Sequence, residues 1–102
     1  MVNKSTQEPG PKPTYLVVET NLHYQSKKQG ELVLDLDFPF GILIDATQQS
    51  GDDRKVFITI LEALGDQATL EKVRLLGAVE GMELIQRFFA EFEKLIGSSA
   101  GE

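Results

Sequence analysis

The sequence predicts an α+β domain, with an N-terminal β-hairpin packed on a small bundle of about four helices. Three observations carry this. Residues 31–38, Glu-Leu-Val-Leu-Asp-Leu-Asp-Phe, alternate apolar and polar side chains with the period of a half-buried strand. From Pro39 onward the apolar period changes to that of a helix. Glycines or acidic caps then punctuate the chain at short intervals, at Gly51-Asp52-Asp53, Gly65-Asp66 and Gly77.

The first 13 residues are polar and contain Pro9, Pro11 and Pro13 around Gly10. Such a stretch cannot bury enough apolar surface to offset its ordering entropy, so 1–13 is expected to be a disordered arm, with a short docking motif as the functional alternative. Tyr15, Leu16, Val17, Val18, Thr20 and Tyr24 are strand formers and read as one strand. The polar break 25–30 ends in Gly30, and 31–37 returns as the second strand, giving a hairpin over 14–37. Leu32, Leu34, Leu36 and Phe38 share its apolar face. Phe38 is held extended because it precedes a proline. That face is either closed by the helices or left partly open as a groove for a client.

The first helix is expected over 39–49, with Pro39 in its first turn and Asp37 placed to cap it. Phe40, Leu43, Ile44 and Thr47 make its stripe, so Phe40 is expected to point inward. The second helix spans 53–64, with Asp52 or Asp53 as cap, the stripe Val56, Phe57, Ile60, Leu61 and Leu64, and Gly65 as stop. Phe57 should be buried against the last helix. A short helix over 69–76, begun by Asp66 or Thr69, carries Leu70, Val73 and Leu76 and closes at Gly77. The last helix, 79–96, has the stripe Met82, Ile85, Phe88, Phe89, Phe92, Leu95 and Ile96 and should end at Gly97, leaving 98–102 as a flexible tail. The domain proper is therefore 14–97.

Composition narrows the function classes. The chain has 102 residues and a net charge of −6, and only the first 13 residues sum to a positive charge. An acidic chain without a basic stripe disfavours nucleic-acid binding. There is no Cys, which removes disulfides, thiol catalysis and thiolate metal sites. The first 14 residues have no apolar core of a signal peptide, and no apolar run approaches the ~20 residues of a membrane span.

No reactive constellation is present in the pattern. His23 stands alone, without zinc-ligand or triad spacing, and reads as an edge-strand histidine. Asp35/Asp37 fall on a strand's wet face, and Asp52/Asp53 where a cap is wanted; these acids, with Glu91/Glu93, have structural explanations. Residues 45–53 lack the spacing of a calcium loop, and Gly77/Gly81 lack the Lys-Ser/Thr of a phosphate loop. No catalytic, cofactor or metal residue is expected, and the chain reads as a non-enzyme.

The aromatic residues are the remaining candidates. Phe88 and Phe89 are adjacent, so their side chains leave a helix about 100° apart, and both are buried only if a broad face is covered. Phe88, Phe89 and Phe92 are either core or a surface covered by another chain. With Phe38 and Phe40 they form the candidate partner-binding set.

The order of elements resembles the tail assembly chaperones of long-tailed bacteriophages, especially those of actinobacteria. The likeness spans about 14–102 and rests on the hairpin, the Phe-led helix opener and the Gly-Asp-Asp turn. Beyond these it rests on Phe57, Leu61, Leu64 and Asp66, on Leu70, Val73 and Leu76, and on Phe88, Phe89 and Phe92 followed by a Gly/Ser/Glu tail. The family's frequent Trp in the last helix has no counterpart here. The resemblance implies a protein that coats the tape-measure protein in the infected host's cytoplasm, is absent from the mature virion, and in many cases exists also as a longer frameshifted form. Partners would be the tape-measure protein, that longer form and further copies of the chain. Two other readings stay open: a small adaptor binding one defined partner through the same Phe face, and an enzyme with an unrecognised carboxylate site.

Overall fold

A computed structural model describes residues 14–100, and the side chains of 14–97. The expected disordered arm, 1–13, lies outside the described residues, as do 101–102. The fold is α+β: a three-stranded antiparallel sheet followed by four helices. The strands are β1 (Thr14–Val18), β2 (Asn21–Ser26) and β3 (Gly30–Asp35), in the order β1-β2-β3. The helices are α1 (Phe40–Gln49), α2 (Asp53–Leu64), α3 (Gln67–Arg74) and α4 (Ala78–Ala100).

The first strand of the expected hairpin is two strands. Val18 pairs with Asn21, leaving Glu19 and Thr20 as a two-residue turn with Glu19 at φ 58°. That left-handed conformation costs an L-residue about 1–2 kcal/mol, and the turn therefore normally carries Gly, Asn or Asp. Its absence from the sequence hid the turn. His23 consequently sits on the central strand, not on an edge. The second turn has ordinary chemistry. Ser26 pairs with Gly30 around a three-residue loop, Gly30 takes φ 76°, and Ser26 Oγ accepts from Lys28 N and Gln29 N.

Alternation places Leu22, Tyr24, Leu32 and Leu34 on the inner face, with Leu36 and Phe38 continuing it beyond β3. The helices close this face with Ala46, Val56, Phe57, Ile60, Leu61, Leu70, Leu84 and Phe88, and the loop between α3 and α4 adds Leu76. Tyr24 and Ser26 tie the sheet to α4 through Glu80, both hydroxyls donating to its carboxylate at 3.3 Å. Burial, reinforced by the Glu80 carboxylate, raises the Tyr24 phenol far above its ordinary range, so it stays a donor.

Pro39 occupies the N-cap position of α1 and supplies no side-chain cap. Asp37 does not cap either; its N–H donates to Asp35 Oδ1 at 2.8 Å, making a local turn. Asp52 caps α2 by accepting from Arg54 N at 2.9 Å, and Gly65 ends it at φ 77°. Asp66 caps α3, which begins at Gln67, two residues before the expected start, and ends at Arg74 with Leu75 as C-cap. The last helix runs through Gly97 to Ala100, so Gly97 does not stop it. Glycine inside a helix costs only about 1 kcal/mol, and Gly97 itself does not take the left-handed conformation that would turn the chain away.

The caps carry a pH prediction. Asp66 accepts from Thr69 N at 3.1 Å and from Thr69 Oγ1 at 2.8 Å, which holds its carboxyl below the ordinary value; bonds from the Arg54 side chain and backbone do the same for Asp52. A lowered folded-state pKa stabilises the protein above the unfolded value, about 4, and that stability is lost as the pH falls through the lower folded value. Asp66→Ala is expected to cost about 1 kcal/mol near neutral pH. Asp66→Asn, which keeps an acceptor at the cap, should cost less and flatten the fall in melting temperature between pH 5 and pH 3. An unchanged acid profile in Asp66→Asn would remove this cap from the acid transition.

Candidate interaction surface

The five candidate phenylalanines separate into two groups. Phe38 is only 6% exposed and stacks on Phe88 and Phe92, with centroids 6.1 and 5.5 Å apart. Phe88 also meets Phe57 and Phe89 edge-to-face at 5.1 and 5.2 Å. Phe57 is fully buried against α4, as its stripe predicted. Phe89 and Phe92 are half-buried against the same core. Phe38, Phe88 and Phe92 thus close the sheet's apolar face within one chain, with Phe89 at its border, and no open groove lies at Phe38.

Phe40 is elsewhere. It is 71% exposed, against the expectation that it packs inward. The core-facing side of α1 is Ile42, Leu43 and Ala46, and a helical wheel puts Phe40 about 120° from Ala46. Ile44, 39% exposed, and the exposed Thr47 share the outward side with Phe40. The Phe40/Leu43/Ile44/Thr47 stripe is therefore correct as a spacing but faces solvent for three of its four members. Ala46 is the one residue of α1 that is fully buried, and sequence reading passes over it because Ala does not weigh in an apolar stripe.

A similar rotation holds for α4. Its inner line is Leu84, Phe88, Glu91 and Leu95, and Leu84 is the fully buried member that the expected stripe omitted. Met82 and Ile96, expected on that stripe, are exposed. Glu91 is buried at the edge of the core and its carboxylate accepts from Lys94 Nζ at 3.1 Å. Val79, 84% exposed, and Met82 form a second exposed apolar set in the first turns of α4. Leu75 and Leu76 are neighbours, and only Leu76 turns inward.

The histidine and several of the acids singled out in the sequence are engaged locally. His23 Nδ1 lies 3.0 Å from Glu31 on the outer face of the sheet. Asp35 and Asp37 are engaged with each other through the Asp37 N–H, and Asp52 with Arg54. Among the described residues no group of three or more His, Cys, Asp or Glu is arranged to hold a metal ion. No described helix is long and apolar enough to cross a membrane. The exposed apolar side chains on the helices include Phe40 and Ile44 on α1 and Val79, Met82 and Ile96 on α4. Comparison with protein-family models, with curated proteins and with solved structures returned no match.

Proposed function

We propose that this protein is a tail assembly chaperone of long-tailed bacteriophages, covering apolar stretches of the tape-measure protein in the host cytoplasm and leaving before the virion matures. The observation that carries the reading is the outward stripe of α1, where Phe40 is 71% exposed beside Ile44. Burying a Phe side chain is worth about 1.5–3 kcal/mol, so a lone domain gains by directing Phe40 inward, yet α1 is rotated to present it. A client helix laid along Phe40 and Ile44 buries apolar surface on both partners. Each contact is small and weak, which suits a coat in which many copies occupy one long client and avidity supplies the holding strength. The order of strands then helices, and the apolar spacings that resemble those of that family, support the same reading. No step of it requires catalysis, and the chain acts as a binding protein.

Phe40→Asp tests this. The exposed position should leave the circular dichroism spectrum and melting temperature close to wild type. Co-expression should then show the tape-measure protein soluble with the wild-type chain and insoluble with Phe40→Asp. Equal solubility with both would remove α1 as the client surface. A wild-type chain that leaves the tape-measure protein insoluble but binds one other protein stoichiometrically through Phe40 would make it an adaptor.

A further inference from the structure

We infer that the free edge of β1 is a self-association site, at which two copies of the chain pair antiparallel and join their sheets into one of six strands. The two edges of the sheet are treated differently. On the β3 edge, α3 packs alongside and Lys72 Nζ donates to the Glu31 carbonyl at 3.2 Å. On the far side of β1 no strand is paired among the described residues.

The ladder fixes which backbone groups that edge presents. Leu36 N donates to Thr20 O at 2.8 Å, so Thr20, Leu22, Tyr24 and Ser26 bond toward β3. Asn21, His23 and Gln25 then bond toward β1, to Val18, Leu16 and Thr14. The N–H and C=O groups of Tyr15 and Val17 are left pointing outward. Glu31 lies on the outward set of β3 by the same alternation, in agreement with its bond to Lys72.

Such an edge is usually blunted by Lys, Pro, a bulge or a cover. Thr14–Val18 contains no charge and no proline, and Leu16 and Val18 stand exposed on the outer face, Leu16 at 64%. A two-fold axis through Leu16 sets Tyr15 opposite Val17 of the second copy, and the reverse. Four inter-chain backbone hydrogen bonds follow, with Leu16 against Leu16 on the outer face and Thr14 against Val18. The patch is thus complementary to itself, as a two-fold interface requires. The chain's own first 13 residues are poor competitors. Pro9, Pro11 and Pro13 lack donors, and the arm's apolar side chains outside its prolines are Met1 and Val2, at its far end. This site differs from α1 and from the Phe88, Phe89 and Phe92 face of α4, and it does not depend on the proposed function.

Sedimentation equilibrium of the full chain across micromolar concentrations tests the site with two variants. Val17→Pro removes an outward donor that the monomer's ladder does not use, so the chain should keep its circular dichroism spectrum. It deletes two of the four inter-chain bonds and should raise the dimer dissociation constant about tenfold or more. Leu16→Lys puts two like charges face to face and should do the same without touching the backbone. The expected result is a reversible monomer–dimer equilibrium for wild type, weakened in both variants. A wild-type monomer at all concentrations overturns the site, as does a dimer that both variants leave unchanged, which would return self-association to the helices.

Discussion

Phe38→Asp is expected to unfold the protein. The side chain closes the sheet's apolar face and lies against two aromatic rings on α4, 5.5 and 6.1 Å away. Removing a buried phenylalanine costs about 3–5 kcal/mol before any charge is considered. An ionised carboxylate in its place would face the Phe88 and Phe92 rings, and burying it unpaired adds several kcal/mol more. The sum approaches the whole stability of an ordinary small domain, about 5–15 kcal/mol. Circular dichroism should show loss of structure at neutral pH, with partial recovery below pH 4, where the carboxyl protonates. A variant with native spectrum and native melting would place Phe38 on the surface and reopen the sheet face as a client groove. The same substitution at Phe40, two residues on, is expected to leave the fold intact, and the contrast separates core from surface within one tripeptide.

Phe57→Ala should cost about 3–5 kcal/mol, the usual loss for a fully buried phenylalanine. The ring is inaccessible to solvent and meets Phe88 edge-to-face at 5.1 Å, with an interplanar angle of 78°. That geometry sets the positive edge of one ring against the negative face of the other and adds about 0.5–1.5 kcal/mol beyond area burial. Urea denaturation should show a lower midpoint with an unchanged slope. Phe57→Ala and Phe88→Ala share one contact and one cavity, so together they should cost less than their sum, with a coupling of about 0.5–3 kcal/mol. A change below about 1 kcal/mol in Phe57→Ala would mean that α2 does not pack its aromatic stripe on α4.

Several features are legible in the sequence because they depend on local rules. The switch from period two to period 3.6 at Pro39 separates sheet from helices, and α1 and α2 begin and end within a residue of their expected bounds. Asp52, Asp66 and Gly65 act as caps because the unpaired N–H and C=O groups of a helix end need those residue types. The alternation of Leu32, Leu34, Leu36 and Phe38 fixes which side of β3 is buried, since a strand has only two faces.

Other features required the tertiary structure. The Glu19-Thr20 turn is one, because nothing local asks Glu19 to adopt φ 58°; pairing of both flanking strands compensates for that strain. The rotation of α1 and α4 about their own axes is the other. A stripe such as Phe40, Leu43, Ile44 and Thr47 gives the period of a helix but not its phase, because several overlapping faces satisfy the same spacing. The phase is chosen by what the core accepts: Ala46 is the residue α1 buries, and Leu84 and Phe88 are those α4 buries in the cluster that holds Phe38 and Phe57. Phe40 is left in water by that choice. The sequence by itself determined that this chain is an α+β domain with its strands before its helices. Which phenylalanines close the core, and which one stays in water, was decided only when the helices packed.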